Sequence, residues 1–153
     1  MKNFHQKGIT LAEVLLAIAI VGILATIVLP GFTKIKKIQI LKSTTEEIVS
    51  VLEKARSQTL ASLNSSSYGV HFETNRVIIF SGTAFSSDEV TNQVVDLISS
   101  ATITNINLNN SATDLYFNRL SGLPNTSGTI TVEVPGISSK TITISATGSA
   151  SVN

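Results

Sequence analysis

The most apolar part of the chain is residues 9–29, a run of 21 residues that contains a single charged residue, Glu13. As an α-helix this run is about 31 Å long, which is close to the thickness of the hydrocarbon core of a bilayer. It is too long for the core of a typical signal peptide, and no small-residue cleavage site follows it. The pattern therefore predicts a retained, single-pass membrane helix behind a short basic leader, residues 1–8.

Residues 33–63 have apolar positions that recur at spacings of three, four and seven, which is typical of an amphipathic helix. The charged side chains mostly fall off this stripe. We expect residues 30–63 to continue the apolar helix through Pro30 as one long, bent helix whose stripe packs against a sheet. The predicted stripe comprises Ile38, Leu41, Thr45, Ile48, Leu52, Ala55 and Thr59.

From residue 64 onward the period of the apolar positions changes to two, which is typical of β-strands. Two hairpins are predicted, with Thr74-Asn75 and Pro135-Gly136 at their turns. The strands are expected at residues 68–73, 76–81, 94–98, 101–108, 115–117, 129–134 and 141–145, with a polar loop at 82–92 and a last strand after Thr147-Gly148. The pattern predicts an α+β fold, in which one long N-terminal helix packs on an antiparallel sheet formed by residues 64–153.

The charges do little to define a function. Charged residues make up 14% of the chain and the net charge is +1, so the composition does not indicate strong nucleic-acid binding. Four lysines follow the apolar run and indicate a solvated face next to the membrane, with a phosphate or DNA patch as the alternative; they are Lys34, Lys36, Lys37 and Lys42. The absence of cysteine excludes disulfides and thiolate chemistry.

The residues needed for catalysis are scarce. His5 lies in the leader, so His71 is the only histidine left in the rest of the chain, and its place in a strand is typical of a surface or hydrogen-bonded histidine. Asp88 and Glu89 supply far fewer oxygens than a calcium site needs. We therefore expect no enzyme activity, no cofactor and no metal site.

The stretch KGITLAEVLL at residues 7–16 resembles the N-terminal signature of type IV prepilins and type II secretion pseudopilins. Gly8 matches the glycine at the leader junction, Thr10-Leu11 matches the Thr-Leu pair, and Glu13 matches the glutamate at the fifth position after the junction. Gly22 and Pro30 fall where the family has its helix-loosening glycine and proline. One position departs from the pattern, because Ile9 stands where the family most often has phenylalanine.

The resemblance implies that a prepilin peptidase cuts between Gly8 and Ile9 and methylates the new amino group of Ile9. It implies a cytoplasmic leader, a helix in the inner membrane before assembly and an extracytoplasmic C-terminal domain. The subunit then joins other pilin or pseudopilin subunits in a pilus or pseudopilus filament. Positive charges alone leave the orientation open, because lysines flank the apolar run on both sides.

A charge within an apolar helix requires a physical reason, and the resemblance supplies one for Glu13. Cleavage would leave an ammonium on Ile9, four residues earlier, where it can neutralise the Glu13 carboxylate within one subunit or between neighbours. Glu13 would then set the register of assembly. The alternative is that Glu13 merely reaches the membrane surface.

Gly22 and Pro30 are expected to loosen the helix between them. The alternative for Pro30 is that it simply marks the end of the helix.

A second resemblance covers the C-terminal part. An Ala55-Arg56 pair, a Phe-to-Gly element at residues 117–122 and a last hairpin with Thr147-Gly148 are similar to H-class pseudopilins and to transformation-type minor pilins. This implies a structural subunit of a pilus or pseudopilus. The alternative is a minor tip subunit that binds a secreted substrate or DNA, although the tail after Lys140 has no positive charge for contacts with phosphate.

Overall fold

The computed structural model describes residues 8–153, except for the side chains of residues 27–30 and 110. Residues 1–7, and with them His5 and nearly all of the expected leader, lie outside the described residues. The described part contains one α-helix, α1 (Leu11–Leu60), and eight strands. The strands are β1 (Tyr68–Phe72), β2 (Arg76–Ser81), β3 (Gln93–Asp96), β4 (Thr102–Leu108), β5 (Asp114–Tyr116), β6 (Gly128–Glu133), β7 (Lys140–Ile144) and β8 (Ala150–Val152). The chain divides into two compact units, of which one ends at Lys36 and the other is Lys37–Asn153.

Helix α1 includes both Gly22 and Pro30, so the alternative in which the helix ends at Pro30 is wrong. Six of the seven predicted stripe residues are buried, with at most 3% of each exposed. The prediction for Ile38 is wrong, since 49% of this residue is exposed. The buried core reaches along α1 only as far as Leu41, and Ile38 lies almost one turn before it. The helix ends at Leu60, so residues 61–63 lie outside it.

The strands form two four-stranded sheets rather than the single sheet that was predicted. Their strand orders are β3-β2-β1-β5 and β4-β6-β7-β8, and all neighbouring strands are antiparallel. The two predicted hairpins are confirmed as β1–β2 and β6–β7. An alternating pattern shows which side chains share a face, but it does not show which strands pair, so the division into two sheets could not be predicted.

One cluster of buried side chains joins α1 to both sheets. It includes Ile48 and Leu52 from the helix, Val70 from the first sheet, and Ile130 and Ile142 from the second, each with no more than 2% exposed. This arrangement confirms the α+β fold, because the helix stripe covers the apolar faces of antiparallel sheets.

The other face of the first sheet has a small apolar layer of its own. Ile78 and Phe80 are buried there outside the main cluster, and the ring of Phe85, from the loop at residues 82–92, packs edge-on against Phe80 at a centroid distance of 5.8 Å. Gly69 leaves room for the Phe80 ring, because a Cβ atom at this position would overlap it. The loop at residues 82–92 therefore covers the sheet.

Candidate functional site

Thr10 caps the N-terminus of α1. The backbone nitrogen of Glu13 lies 3.1 Å from the Thr10 carbonyl oxygen and 3.3 Å from its Oγ1, so the side chain of Thr10 gives the first helical turn an additional hydrogen-bond acceptor. Glu13 lies in this first turn, where the helix dipole favours a negative charge. The start of the helix is thus defined by two residues of the prepilin-like signature.

The expected cleavage junction lies directly before this cap. Gly8 and Ile9 are not helical, both are exposed, and a Cβ atom at Gly8 would meet nothing within 4 Å. Within the described part of the chain, the Glu13 carboxylate has no hydrogen bond and no ion pair. The ammonium that Glu13 is expected to neutralise forms only when the peptide bond before Ile9 is cut, so the intact chain does not test the pairing.

The first half of α1 is an apolar surface without a cover. Its most apolar window of 18 residues has a mean hydropathy of 2.7 and is 0% buried, and among the described residues α1 is the one helix long and apolar enough to cross a membrane. Thr26 satisfies its hydroxyl within the helix by donating to the Ile23 carbonyl oxygen at 2.7 Å. A segment of this kind needs a membrane or other helices around it.

The two residues expected to loosen the helix are only partly described. A Cβ atom at Gly22 would meet nothing within 4 Å, so packing within this chain does not require glycine there. The side chain of Pro30 lies outside the described residues. The loosening role of both residues stays a prediction.

The side chain of Arg56 contacts the two other sequence features that resemble H-class pseudopilins, the element at residues 117–122 and the Thr147-Gly148 pair. Its Nε donates to the Gly122 carbonyl oxygen at 3.0 Å, and its Nη2 donates to the Thr147 carbonyl oxygen at 3.1 Å. Gly148 has a positive φ of 82°, and a Cβ atom there would lie 2.8 Å from the Gly122 oxygen. Arg56 therefore ties two distant loops to α1, and these contacts explain the pattern in structural terms.

His71 is a hydrogen-bonded histidine, as expected from the sequence. Its Nδ1 lies 2.8 Å from Oδ1 of Asp114, and the ring of Phe85 stacks on the imidazole at a centroid distance of 3.9 Å. Nearby, Arg76 donates from Nε and Nη2 to the two carboxylate oxygens of Glu73 at 2.7 and 3.2 Å. These hydrogen bonds hold the pKa of Glu73 below its ordinary value of 4.5.

The acidic residues of the loop at 82–92 are Asp88 and Glu89. In the part of the chain that the structure describes, no group of three or more His, Cys, Asp or Glu side chains is placed to hold a metal ion. Asp88 and Glu89 are both exposed. They therefore belong to the surface of the loop.

Two family models match the chain. The prokaryotic N-terminal methylation motif matches residues 3–29, and the type II transport protein GspH matches residues 44–148, well over half of the chain. No curated protein and no solved structure matches it.

The chain belongs to the GspH family.

Together the two matches confirm that the chain is an H-class pseudopilin of the prepilin type, a structural subunit of a type II secretion pseudopilus or a type IV pilus. Proteins of these families are structural subunits. The family implies processing by a prepilin peptidase, anchoring through the apolar helix, and assembly with other pseudopilins.

Sequence reasoning missed two features of this pseudopilin. The cap at Thr10 had a signal, because Thr10 and Glu13 fit the Thr-x-x-Glu pattern of a capping box. The hydrogen bonds of Arg56 had no signal in the sequence, because only the folded sheets bring their acceptors, the carbonyl oxygens of Gly122 and Thr147, to the helix.

Proposed function

We propose that the peptidase cuts this pseudopilin between Gly8 and Ile9 and methylates the new amino group of Ile9. The observation that carries this proposal is the exposed, non-helical junction directly before the capped start of α1. A peptide bond can enter a protease site only when its backbone is accessible and free of helical hydrogen bonds. The cut would leave the helix with its Thr10 cap intact.

Before assembly, residues 9–29 cross the inner membrane, with residues 1–8 in the cytoplasm and the domain at residues 64–153 outside it. Residues 30–63 continue the helix to that domain. The exposed apolar side chains of the first half of α1 support this topology, and so does the separate buried core of the unit Lys37–Asn153. The subunit then leaves the membrane and joins other pilin or pseudopilin subunits.

In the filament, the Glu13 carboxylate neutralises the ammonium of Ile9, either in its own chain or in a neighbour. A buried charge without a partner is far more costly than a pair, so the subunit settles where its charge is matched. Gly22 and Pro30 weaken the helix between them, which lets residues 23–29 partly unwind as helices pack around them.

Two variants separate the charge of Glu13 from its position in the first turn of the helix. Glu13→Gln keeps a side chain suited to the third position of a capping box but removes the charge, whereas Glu13→Asp keeps the charge. We expect Glu13→Gln to insert into the membrane normally but to lower the amount of subunit in sheared filaments about tenfold or more, as fits the loss of a buried ion pair. Glu13→Asp should retain most of it.

Quantitative immunoblotting of membranes measures insertion of the subunit, and immunoblotting of sheared filaments measures its incorporation. Glu53→Gln is the matched control, because it removes an exposed carboxylate from the same helix and should leave incorporation unchanged. Normal incorporation of Glu13→Gln would refute the neutralising role of Glu13. Loss of Glu13→Gln from the membrane itself would show that the residue acts in insertion instead.

A further inference from the structure

The first sheet has one edge that the fold leaves open for hydrogen bonding. Residues on neighbouring antiparallel strands alternate between hydrogen-bonded and non-hydrogen-bonded pairs. The Leu97 N–H donates to the Asn75 carbonyl oxygen at 2.9 Å, so the bonded pairs of β2 and β3 fall at every second residue from there. The N–H and carbonyl groups of Val94 and Asp96 therefore point away from β2, and among the described strands none pairs with β3 on that side.

Two of the other three sheet edges are closed within the chain. In β5, the Tyr116 N–H donates to Oδ1 of Asn125 at 2.8 Å, and the Tyr116 carbonyl oxygen accepts from the Asn125 N–H at 2.9 Å. In β4, the register is irregular between Ile103 and Asn105, and the Ile103 N–H donates to the Thr74 carbonyl oxygen at 2.8 Å. The remaining edge strand, β8, has no charged residue. Because an open edge invites pairing with other chains, the open edge of β3 requires a reason.

A cleft of about 230 Å³ lies beside this open edge. Its apolar lining comes from Val94 of β3, from Ile78, which pairs with Val94 on β2, and from Phe85 of the loop at residues 82–92. Pockets for small molecules usually measure roughly 300–1,000 Å³, so the size of this cleft suits a single side chain. The stacking of Phe85 on His71 fixes the cleft before a partner arrives, which lowers the entropy lost on binding.

The free charges around the cleft are negative. Arg76 also lines it, but this side chain donates to both carboxylate oxygens of Glu73. Glu89 lines the cleft as well, and Asp96 lies on the same face of β3 as Val94. Both carboxylates are exposed, and neither forms an ion pair within the described part of the chain. A strand that joins this edge is therefore favoured when it carries a positive charge.

We propose that the open edge of β3 binds an extended segment of a different subunit of the filament, which joins the first sheet as an antiparallel strand. The segment carries Lys or Arg two positions before an aliphatic residue, so that the basic side chain faces Asp96 and the aliphatic side chain lies against Val94 and the cleft. In this mode of recognition the main-chain hydrogen bonds supply affinity and the side-chain contacts supply specificity.

The charges also distinguish this partner from a second copy of the same edge. Two copies of β3 would bring Asp96 and Glu89 of one chain against the same carboxylates of the other, and like charges on paired strands are destabilising. The inference rests on the proposed function, because it places the partner in the filament.

A peptide tests the edge without a filament. The probe is acetyl-Thr-Arg-Thr-Ile-Thr-amide, added to the isotope-labelled full-length chain in detergent micelles and followed by NMR. We expect saturable shifts of the amide signals of Val94 and Asp96. Asp96→Asn should weaken binding of this peptide about threefold, which is the size expected for an exposed ion pair, and should not change binding of a peptide with Gln in place of Arg. The absence of saturable shifts at β3 would overturn docking at this edge.

The variant Val94→Pro tests the edge in the filament. Proline removes a donor that points outward and is tolerated at such positions of an edge strand, so the first sheet should still form. We expect the amount of subunit in sheared filaments to fall about tenfold, as fits the loss of one or two hydrogen bonds, while the amount in the membrane stays unchanged. Quantitative immunoblotting of both fractions measures this.

Ala150→Pro is the matched control on the edge strand β8. The Asn153 N–H donates to the Thr141 carbonyl oxygen at 2.9 Å, so by the same alternation Ala150 points outward, and its variant should be incorporated normally. Thermal unfolding followed by circular dichroism shows whether each variant is folded. If Val94→Pro does not fold, Asp96→Arg replaces it, because reversal of this exposed charge should lower incorporation about threefold.

The outcomes separate this inference from the proposed function. Normal incorporation of the folded Val94→Pro variant overturns docking of a filament subunit and leaves the proposed function standing, and a peptide that still binds would then represent a protein outside the filament. Equal losses of Val94→Pro and Ala150→Pro overturn the assignment to β3. If the wild-type chain itself is absent from filaments, the proposed function fails, and docking within the filament fails with it.

Discussion

At the scale of single residues, two buried threonines of α1 differ in their hydrogen bonds. Thr44 and Thr59 are both 0% exposed. The Thr59 hydroxyl donates to the Ala55 carbonyl oxygen and accepts from the Tyr68 N–H, both at 2.9 Å, whereas the Thr44 hydroxyl has no hydrogen-bond partner among the described residues. One threonine therefore joins the helix to the first sheet, whereas the hydroxyl of Thr44 is buried without a hydrogen-bond partner in the described part of the chain.

The variants Thr44→Val and Thr59→Val should change stability in opposite directions. The first removes an unpaired buried hydroxyl and should raise the free energy of unfolding by about 1 kcal/mol, whereas the second leaves the Tyr68 N–H without an acceptor and should lower it by about 1–3 kcal/mol. The two substitutions are chemically identical and lie on the same helix, so each controls for the other. Urea denaturation in detergent, followed by circular dichroism, measures both, and a destabilised Thr44→Val variant would contradict this description.

The pair of Glu73 and Arg76 predicts a dependence of stability on pH. Arg76 holds the pKa of Glu73 below 4.5 in the folded chain, so the folded state binds this proton less tightly than the unfolded state does. The pair therefore stabilises the fold above the unfolded pKa, and its contribution is lost as the pH falls through the lowered folded pKa.

The measurement is the difference in unfolding temperature between the wild type and Glu73→Gln. The wild type should be the more stable at roughly pH 6, and the difference should shrink as the pH falls below 4.5 through the lowered folded pKa of Glu73. Glu89→Gln is the control, because its exposed carboxylate has no partner in the described chain. A difference that stays constant over this range would show that the Glu73 pair does not respond to pH.

At the scale of elements, the second half of α1 is stabilised by its buried stripe and the first half is not. Ile48 is 0% exposed within the core that joins the two sheets, whereas Ile38, on the same predicted stripe, is 49% exposed. We expect Ile48→Ala to lower the free energy of unfolding by about 2–5 kcal/mol because it leaves a cavity, and Ile38→Ala to change it by less than about 0.5 kcal/mol.

Denaturation curves for the two alanine variants measure the difference. Both variants make the same substitution on one helix and lose the same side-chain atoms, so their comparison isolates burial. Equal losses of stability in Ile38→Ala and Ile48→Ala would mean that the stripe packs over its whole predicted length.

The elements were predicted well where the pattern is local. Periodicity indicated the long helix, the polar loop at residues 82–92 and the Thr74-Asn75 turn, which is closed by a hydrogen bond from the Glu73 N–H to the Arg76 carbonyl oxygen at 3.0 Å. It could not indicate that β4 pairs with β6 and not with β3, because alternation is the same for any partner. Nor could it show that Phe85 covers the far face of the first sheet, since that contact depends on the fold of a whole loop.

The candidate site was predicted from a signature and not from geometry. Gly8, Ile9 and Glu13 were found because their spacing resembles that of prepilins, and the structure adds the cap at Thr10. The physical part of the prediction is that the Glu13 carboxylate pairs with the ammonium group of Ile9. That ammonium group forms only after cleavage. The intact chain therefore supports the position of Glu13 in the first turn of the helix, and the pairing itself stays a prediction.

At the scale of the whole molecule, the chain combines a helix that needs an external cover with a domain that has its own core. The apolar window of α1 is 0% buried, whereas the unit Lys37–Asn153 contains the core shared by the helix and both sheets. A membrane can cover the helix first, and the helices of neighbouring subunits can cover it afterwards. Membership of the GspH family fits this division. The proposed cut after Gly8 is the step that would commit the chain to assembly.

The most direct measurement of that step is the mass of the mature N-terminus in the full-length chain expressed with its own peptidase. Chain recovered from sheared filaments should begin at Ile9 and carry a methyl group on its amino nitrogen, whereas chain from cells without the peptidase should keep the leader and stay in the membrane. Filaments that contain the chain with its leader still attached, or cut at a different bond, would contradict the account.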